Sequence, residues 1–274
     1  MIPARFEYEV AESVDQAVEL LGSGVDAKLL AGGHSLLPLM RLRLARPALL
    51  VDIGRVDDLR YIREDGDRIA IGALTRHHDV ANDPLLREEN GLLAKTAAGI
   101  GDPQVRHVGT IGGSVAHGDP AADMPAVLVA LEAELLVRGP GGERTIPAAE
   151  CFRGFLETAL DPGEVLTEIR VPKLGGAGWS YLKLTRRAQD WATVGVAAVR
   201  ANGSARVALT NMDVTPVRAA GVEEALASGA DPATAAERAA EGTSPPSDHS
   251  ASAEFRQHLA RVLTRRALEE ALAS

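Results

Sequence analysis

Two short glycine-rich segments constrain this chain most: Ala31-Gly32-Gly33-His34-Ser35 and Thr110-Ile111-Gly112-Gly113-Ser114. Glycine allows backbone N–H groups to point outward at φ values that other residues avoid, and it leaves room for a phosphate oxygen to approach them. One such segment is compatible with an ordinary turn between a strand and a helix. Two of them predict a diphosphate held from two sides, and therefore a dinucleotide cofactor. Neither segment has the G-x-G-x-x-G or Walker pattern, which disfavours a Rossmann-type or P-loop site.

The overall charge means that any attraction for a diphosphate must be local. The formal net charge is −9, which argues against nucleic acid as a partner because that role needs clustered Lys and Arg. A helix predicted to begin at Ser35 would add free N–H groups and a positive dipole end. The hydroxyls of Ser35, Thr110 and Ser114 and the ring of His34 would add further hydrogen bonds. Ser13 and Thr75 are predicted to cap two other helices.

Cysteine usage and hydropathy exclude other classes. The single cysteine, Cys151, cannot form a disulfide within the chain, and an iron–sulfur cluster would need more thiolates than one. No stretch approaches the length of apolar sequence that spans a bilayer. Glu7 is an acidic residue too early for a secretory signal. We therefore expect a cytoplasmic protein. Cys151 itself is expected to be a small apolar residue rather than a nucleophile.

The alternation of apolar segments and turns predicts three units. Residues 1–55 are predicted to form a β-α-β-α-β unit, and residues 56–174 a second unit of mixed strands and helices. The glycine-rich stretch at 174–178 is the expected linker. Residues 179–274 show three strand candidates followed by three helix candidates. That order favours an α+β domain whose helices pack on one face of a sheet.

Four motifs in chain order carry a resemblance to a known family. They are LAGGHSL at 30–36, GDPQVR at 101–106, GTIGGS at 109–114 and DPAADMP at 119–125. They resemble the FAD-binding medium subunit of the molybdenum hydroxylases, the xanthine dehydrogenase and carbon monoxide dehydrogenase family, and most of all the carbon monoxide type. The similarity continues through 181–195 and 253–268. It implies an α+β fold: a two-subdomain FAD-binding region of the vanillyl-alcohol-oxidase (PCMH) type, then a C-terminal α+β domain with a three-to-four-stranded sheet that flanks the flavin.

The resemblance also implies a set of cofactor-binding residues. The two glycine segments would hold the pyrophosphate. Asp123 would lie near the ribose or adenosine end, with a helix N-cap as its alternative role. Lys183 would lie near the pyrimidine end of the flavin, where a cation stabilises the reduced anion; its alternative is a solvated surface lysine. Trp191 would lie against the isoalloxazine, with a core tryptophan as the alternative. The full predicted set is Ala31, Gly32, Gly33, His34, Ser35, Leu36, Gly101, Thr110, Ile111, Gly112, Gly113, Ser114, Asp123, Lys183 and Trp191, with no catalytic acid or base and no metal ligand.

Two of these positions depart from the family pattern, and several other candidates carry no assignment. Ser114 stands where many relatives have Asn or Asp, and Trp191 is bulkier than the residue expected there. His77 and His78 are adjacent and so make a poor metal pair on a helix. The arginines of the last helix are expected to form a solvated face; they are Arg256, Arg261, Arg265 and Arg266.

As function, the resemblance implies an electron-transferring oxidoreductase subunit that contains FAD. Its partners would be a large subunit with molybdopterin and a small subunit with two [2Fe–2S] clusters, assembled as a dimer of heterotrimers. Electrons would pass from the clusters to this subunit and on to an external acceptor. Two alternatives stay open: a free-standing FAD-dependent enzyme that acts on a small molecule, and a non-catalytic FAD-binding module. The sequence names neither the substrate nor the final acceptor.

Overall fold

The computed structural model describes residues 1–201 and 204–273, and its first unit alternates strand and helix. The elements are β1 (Glu7–Val10), α1 (Val14–Leu21), β2 (Ala27–Leu30), α2 (Leu36–Arg41) and β3 (Leu49–Asp52). The strands run parallel in the order β1-β3-β2, as strands joined by helical crossovers do. The Ser13 side chain caps α1 by accepting a hydrogen bond from the Gln16 amide at 3.1 Å. The predicted β-α-β-α-β order is confirmed.

The second unit is an antiparallel sheet with a helical insertion. Its elements are β4 (Ile62–Asp65), β5 (Arg68–Gly72), α3 (His77–Asn82), α4 (Pro84–Glu89), α5 (Gly91–Ala98), α6 (Pro103–Val108), α7 (Ile111–His117), α8 (Asp123–Ala130), β6 (Glu134–Gly139), β7 (Gly142–Pro147), α9 (Ala148–Cys151), β8 (Phe152–Gly154), β9 (Glu157–Thr158) and β10 (Val165–Pro172). The sheet order is β4-β5-β10-β6-β7, and β8 pairs with β9 alone. Every residue of α8 is buried. A helix that is apolar nearly all round belongs in the interior.

The third unit is a four-stranded antiparallel sheet with helices. Its elements are β11 (Trp179–Leu184), β12 (Val194–Ala201), β13 (Ser204–Thr210), β14 (Val217–Arg218), α10 (Ala220–Ala227), α11 (Pro232–Ala236) and α12 (Ala253–Ala273). The three predicted strands and the later helices are present, and the short β14 adds a fourth strand. Among residues 1–201 and 204–273, no helix is long and apolar enough to cross a membrane.

The third sheet is covered on both faces, which joins it to the rest of the chain. Along β12, Val196 and Ala198 share one apolar cluster with residues of α12. Ala197 and Val199 point the other way and belong to the cluster that contains α8. Successive side chains of a strand alternate between the faces of a sheet. The helices therefore cover one face, as the sequence predicts, and the buried α8 covers the other.

Thr75 does not cap the helix that follows it. Helix α3 begins at His77 after Arg76, which has extended backbone angles and makes no side-chain cap. The Thr75 hydroxyl donates instead to the carbonyl oxygen of Tyr61 at 3.0 Å. This contact ties the end of β5 to the residue before β4, which the local sequence pattern does not reveal.

Candidate cofactor site

The fold brings the two glycine segments into contact. A Cβ added to Gly32 would lie 2.4 Å from the carbonyl oxygen of Val108 and 2.8 Å from Cα of Gly109. The first segment therefore packs backbone to backbone against the residues that precede the second. A Cβ added to Gly113 would lie 3.9 Å from Cβ of Ala31. Across the same junction, Nε2 of His34 lies 3.3 Å from the Gln104 carbonyl oxygen.

The first segment offers backbone amides that the protein does not use. Within the described part of the chain, the N–H groups of Gly33, His34 and Ser35 donate to no protein acceptor. Gly33 adopts φ +72°, a left-handed conformation that favours glycine. Its carbonyl accepts from the Leu37 amide at 3.0 Å. The segment can therefore donate hydrogen bonds to a ligand without breaking a hydrogen bond of the protein.

Ser35 begins α2 but does not cap it with its side chain. Its backbone is helical, with φ −101° and ψ −48°, and its hydroxyl makes no capping hydrogen bond. Ser35 is the N-cap residue of α2, in agreement with the predicted helix start, and its hydroxyl stays available. Helix α2 is only six residues long, so unpaired amides, rather than a long aligned macrodipole, are what this segment supplies.

The second segment is the start of a helix rather than a free loop. Thr110 is the N-cap of α7, and its hydroxyl accepts a hydrogen bond from the Gly113 amide at 3.2 Å. The Ser114 amide donates to the Thr110 carbonyl at 3.0 Å. Both amides are thus already bonded in this structure. What remains outward is the side chain of the half-buried Ser114.

Ile111 and Gly112 connect this helix start to the end of β5. Ile111 donates its amide to the Thr75 carbonyl at 3.0 Å, and Gly112 donates to the Ala73 carbonyl at 2.9 Å. Both residues are buried. A Cβ on Gly112 would lie 2.5 Å from Cβ of Ala73. Glycine is required here by close packing, so Ile111 and Gly112 support the site from behind.

Gly101 lies in the turn between α5 and α6. It has φ +45°, and its carbonyl accepts from Nη1 of Arg106 at 3.2 Å. The same Arg106 nitrogen donates to the Ile100 carbonyl at 2.9 Å. The Gly99 carbonyl, two residues earlier, receives the ammonium of Lys183 at 2.9 Å. This turn therefore links the glycine segments to the third sheet.

Asp123, Tyr181 and Lys183 form a buried polar cluster between α8 and β11. The Tyr181 hydroxyl donates to Oδ1 of Asp123 at 2.5 Å, and Nζ of Lys183 lies 2.9 Å from Oδ2. Asp123 is the first residue of α8, and Ala122 is its N-cap. The alternative that Asp123 caps this helix is therefore wrong. The Lys183 side chain is only 16 % exposed, so the alternative of a solvated lysine is also wrong.

Burial sets the electrostatics of this cluster. Desolvation raises the pKa of Asp123, and the Lys183 ammonium opposes that rise. Burial and the neighbouring Asp123 carboxylate raise the pKa of Tyr181 well above its ordinary value. Because Asp123 and Lys183 touch, they form one locus and cannot serve opposite ends of an extended dinucleotide. Tyr181 was not among the predicted site residues, although its spacing of two from Lys183 on a strand puts both on one face.

Trp191 lies outside the core. Its side chain is 65 % exposed, on the segment that joins β11 to β12, and its amide donates to Oδ1 of Asp190 at 2.9 Å. The core alternative is wrong for Trp191, whereas Trp179 is partly buried and packs on the main apolar cluster. Trp191 lines a cavity of about 760 Å³. Other walls of this cavity come from Pro120, Phe155, Arg186, His249 and Arg256.

Several remaining candidates have structural roles. Cys151 is fully buried, and burial raises the pKa of its thiol to about 11, which confirms an inert apolar residue. Arg256 is not solvated as expected: it is 1 % exposed, and it donates to the Thr193 carbonyl and, at 2.8 Å, to Asp248. No group of three or more His, Cys, Asp or Glu residues that could hold a metal occurs in residues 1–201 and 204–273.

Comparison with known proteins identifies the family. The family described as the FAD binding domain in molybdopterin dehydrogenase matches residues 4–174, and the CO dehydrogenase flavoprotein C-terminal domain matches residues 179–271. The carbon monoxide dehydrogenase medium chain of Hydrogenophaga pseudoflava is 46% identical, over 100% of this chain and 99% of that protein. This chain belongs to the FAD-binding medium subunits of the molybdenum hydroxylases. The resemblance inferred from its motifs is confirmed, and with it the assignment as an oxidoreductase subunit.

Similar proteins and structures come from several different enzymes, and the solved structures share the fold of this chain. The alpha subunit of the 6-hydroxypseudooxynicotine dehydrogenase complex of Paenarthrobacter nicotinovorans is 39% identical over 99% of this chain and 96% of that protein. A solved carbon monoxide dehydrogenase structure from Hydrogenophaga pseudoflava superposes with a TM-score of 0.96 at 46% identity, covering 100% of this chain and 99% of the other. Quinoline 2-oxidoreductase from Pseudomonas putida 86 gives 0.93 at 32% identity, with the same coverage. The predicted α+β fold is confirmed.

Proposed function

We propose that this medium subunit holds the diphosphate of FAD at the junction of its two glycine segments. The observation that carries the proposal is the row of unused amides at Gly33, His34 and Ser35 beside the second segment. A diphosphate is a multivalent acceptor, and backbone amides in a glycine turn are suited to bind it. The hydroxyls of Ser35 and Ser114 add donors. The donor set therefore fits this cofactor without a cluster of cations.

The remaining predicted residues take supporting roles in this proposal. Thr110 caps the helix that presents Ser114. The residues that shape the backbone around the diphosphate are Ala31, Gly32, Leu36, Gly101, Ile111, Gly112 and Gly113. Asp123 and Lys183 together offer one acceptor and one donor to a single polar part of the cofactor. Trp191, which is exposed beside a cavity, lies against the flavin ring and limits access to it.

In function, the chain serves as an electron-transfer subunit. Bound FAD can take up electrons singly and release them singly or in pairs, so it suits a junction between iron–sulfur clusters and an external acceptor. For that task the protein residues need only bind, orient and shield the cofactor. We place the clusters and the molybdopterin in partner subunits, a small and a large one, in a dimer of heterotrimers.

Three further points belong to the same proposal. We assign three units, at 1–55, 56–174 and 179–274, each with one of the three larger sheets. A cytoplasmic location is compatible with the free, buried Cys151, because disulfides are rare in that compartment. The names of the relatives refer to carbon monoxide, a nicotine derivative, caffeine and quinoline, so the substrate is set in another subunit.

The diphosphate site is tested by Ser35→Asp, with Ser13→Asp as the matched control. An acidic side chain is favourable at the start of a helix, so both variants should fold and α2 should not lose stability. Near the diphosphate, the added carboxylate meets like charges at about 1–4 kcal/mol per pair at close range. We therefore expect FAD affinity, measured by fluorescence titration, to fall at least roughly tenfold in Ser35→Asp and to stay unchanged in Ser13→Asp. Equal FAD affinities in the two variants would mean that the diphosphate binds elsewhere in the chain.

The electron-transfer role is tested by the source of the electrons. In the assembled complex, flavin absorbance should bleach after the iron–sulfur clusters are reduced by the substrate of the large subunit. Bleaching of the isolated subunit by a small-molecule substrate would instead favour a free-standing flavoenzyme. Bound FAD that is never reduced in any assembly would favour a non-catalytic module.

A further inference from the structure

A second cleft lies away from the residues assigned to FAD. It has a volume of about 540 Å³ and lies where the linker at 172–178 passes between the five-stranded sheet and the third sheet. Its walls share no residue with the cavity at Trp191. They include none of the predicted cofactor-binding residues. This cleft therefore calls for an explanation of its own.

The lining of the cleft is positive, although the chain as a whole is acidic. Its charged residues are the cations Arg68, Lys173, Arg200 and Arg206 and the anions Asp67 and Glu132. Two carboxylates just outside the lining, Glu134 and Glu64, pair with Arg68 and Lys173, so the positive charge that remains in the cleft is that of Arg200. Closely placed cations of this kind repel each other unless an anion joins them. The arrangement is thus matched to a negative ligand.

The protein itself neutralises these cations only in part. Glu132 is shared between Arg206 and Arg218. Arg68 has one carboxylate, Glu134, at 3.1 Å. In each of these two lining guanidiniums one buried nitrogen, Nη1 of Arg68 and Nε of Arg206, has no hydrogen-bond acceptor among the described residues. Each of these two paired guanidiniums therefore keeps an N–H donor that is not used.

Arg200 is the clearest unpaired cation of the cleft. It is exposed at the end of β12 and lines the cleft, and its guanidinium makes no ion pair or hydrogen bond with any residue that the structure describes. Lys173, by comparison, has Glu64 at 3.3 Å. Because Arg200 has no structural partner, it can bind a ligand without breaking an existing contact.

The linker adds backbone donors to the same cleft. Gly175 and Gly176 have φ values of +52° and +84°, and a Cβ on either would meet nothing within 4 Å. Their backbone conformation, not packing, therefore favours glycine. The turn is closed by the Ala177 amide, which donates to the Leu174 carbonyl at 2.7 Å. Within the described residues, the amides of Gly175 and Gly176 have no acceptor.

We propose that this cleft binds a small multivalent oxyanion of the pyrophosphate or polycarboxylate class. Guanidinium groups bind both chemistries through paired N–H donors, and free glycine amides add to them. No aromatic side chain lines the cleft in the described part of the chain, so nothing there would stack on a nucleobase. The bound anion would join the linker to both sheets.

The test uses the full chain loaded with FAD, so that the glycine segments are filled. Pyrophosphate and citrate are titrated separately by calorimetry at constant ionic strength. The variant is Arg200→Glu, and the matched control is Arg266→Glu, an exposed arginine of α12 with the same change of charge. We expect saturable binding of at least one anion to the wild type. Affinity should fall at least tenfold in Arg200→Glu and change less than twofold in Arg266→Glu.

The outcomes separate the cleft from the FAD site and one anion class from the other. Binding of pyrophosphate alone would identify a phosphate ligand, and binding of citrate alone a carboxylate ligand; either supports the proposal. Repeating the titration with Ser35→Asp should leave the affinity unchanged. The proposal is overturned if neither anion saturates, if Arg200→Glu binds as well as Arg266→Glu, or if only Ser35→Asp weakens binding.

Discussion

The contact between Lys183 and Asp123 leads to a prediction about the stability of the chain, which can be measured without FAD. Replacing Lys183 by Met leaves the Asp123 carboxylate buried, and among the described residues only the Tyr181 hydroxyl then stays as its side-chain partner. A buried charge that loses its counter-charge is costly because the interior solvates it poorly. We therefore expect the FAD-free Lys183→Met chain to be distinctly less stable than the wild type.

The size of the effect follows from how deeply the pair is buried. The side chains of Lys183 and Asp123 are 16 % and 7 % exposed, with 2.9 Å between Nζ and Oδ2. Breaking a buried pair from one side costs about 3–5 kcal/mol. The partial exposure of Lys183 favours the lower end, about 3 kcal/mol. For a chain of this size, about 2–4 °C of Tm per kcal/mol gives a drop of about 6–12 °C.

The assay is a double-mutant cycle by urea and thermal unfolding. Asp123→Asn, Lys183→Met and the double variant are compared with the wild type. The double variant should lose less stability than the two single variants together, by about 1–3 kcal/mol, because it leaves no uncompensated charge. Glu269→Gln is the control; it breaks the exposed pair of Arg265 and Glu269, 3.8 Å apart, and should cost less than about 0.5 kcal/mol. Strictly additive single effects would refute the reasoning.

Three further predictions concern other positions. Burial, with the nearby charge of Arg106, lowers the pKa of His77 to about 4. The unfolded chain therefore binds more protons than the folded chain between pH 6.5 and 4, and the free energy of unfolding should fall by at most about 3 kcal/mol as the pH falls through that window. His77→Gln should remove this fall when urea unfolding is measured at a series of pH values. Trp191→Ala should change the spectrum and reduction rate of bound flavin while Tm stays within about 2 °C; an unmoved spectrum would return Trp191 to a surface role. In urea unfolding, Gly112→Ala should cost about 1–3 kcal/mol through overlap with Ala73, whereas Gly141→Ala, which meets nothing within 4 Å, should be nearly neutral.

The sequence reveals the fold best where its pattern is long or strictly alternating. The first unit and the strands of the third sheet are foreseen because apolar runs and glycine turns mark their limits. The short helices α4 and α6 are missed, since six residues are too few to show a helical period. A signal was present in both: Asp83-Pro84 and Asp102-Pro103 are an N-cap and a first helical residue, and each Asp side chain accepts an amide three residues on.

The sequence predicts residues of the candidate site, but it does not predict which of them touch. The sequence predicts Asp123 and Lys183, yet nothing local says that side chains 60 positions apart share one hydrogen bond. That contact depends on how β11 lies against the start of α8, which is a property of the packed core. The same holds for Arg256, whose burial follows from the fit of α12 against the third sheet rather than from its own helix.

Similar glycine segments perform different tasks in this chain because their surroundings differ. At Gly112, the carbonyls at the end of β5 accept the helix-start amides, and Ala73 fills the space where a side chain would be. At Gly33, no acceptor approaches from the residues that the structure describes, so the amides remain for a ligand. A substitution at Gly112 therefore reports on folding first, and a loss of FAD there would say little about the diphosphate. Ser35 is the informative position, because a charge can be added beside the free amides while the backbone that presents them is preserved.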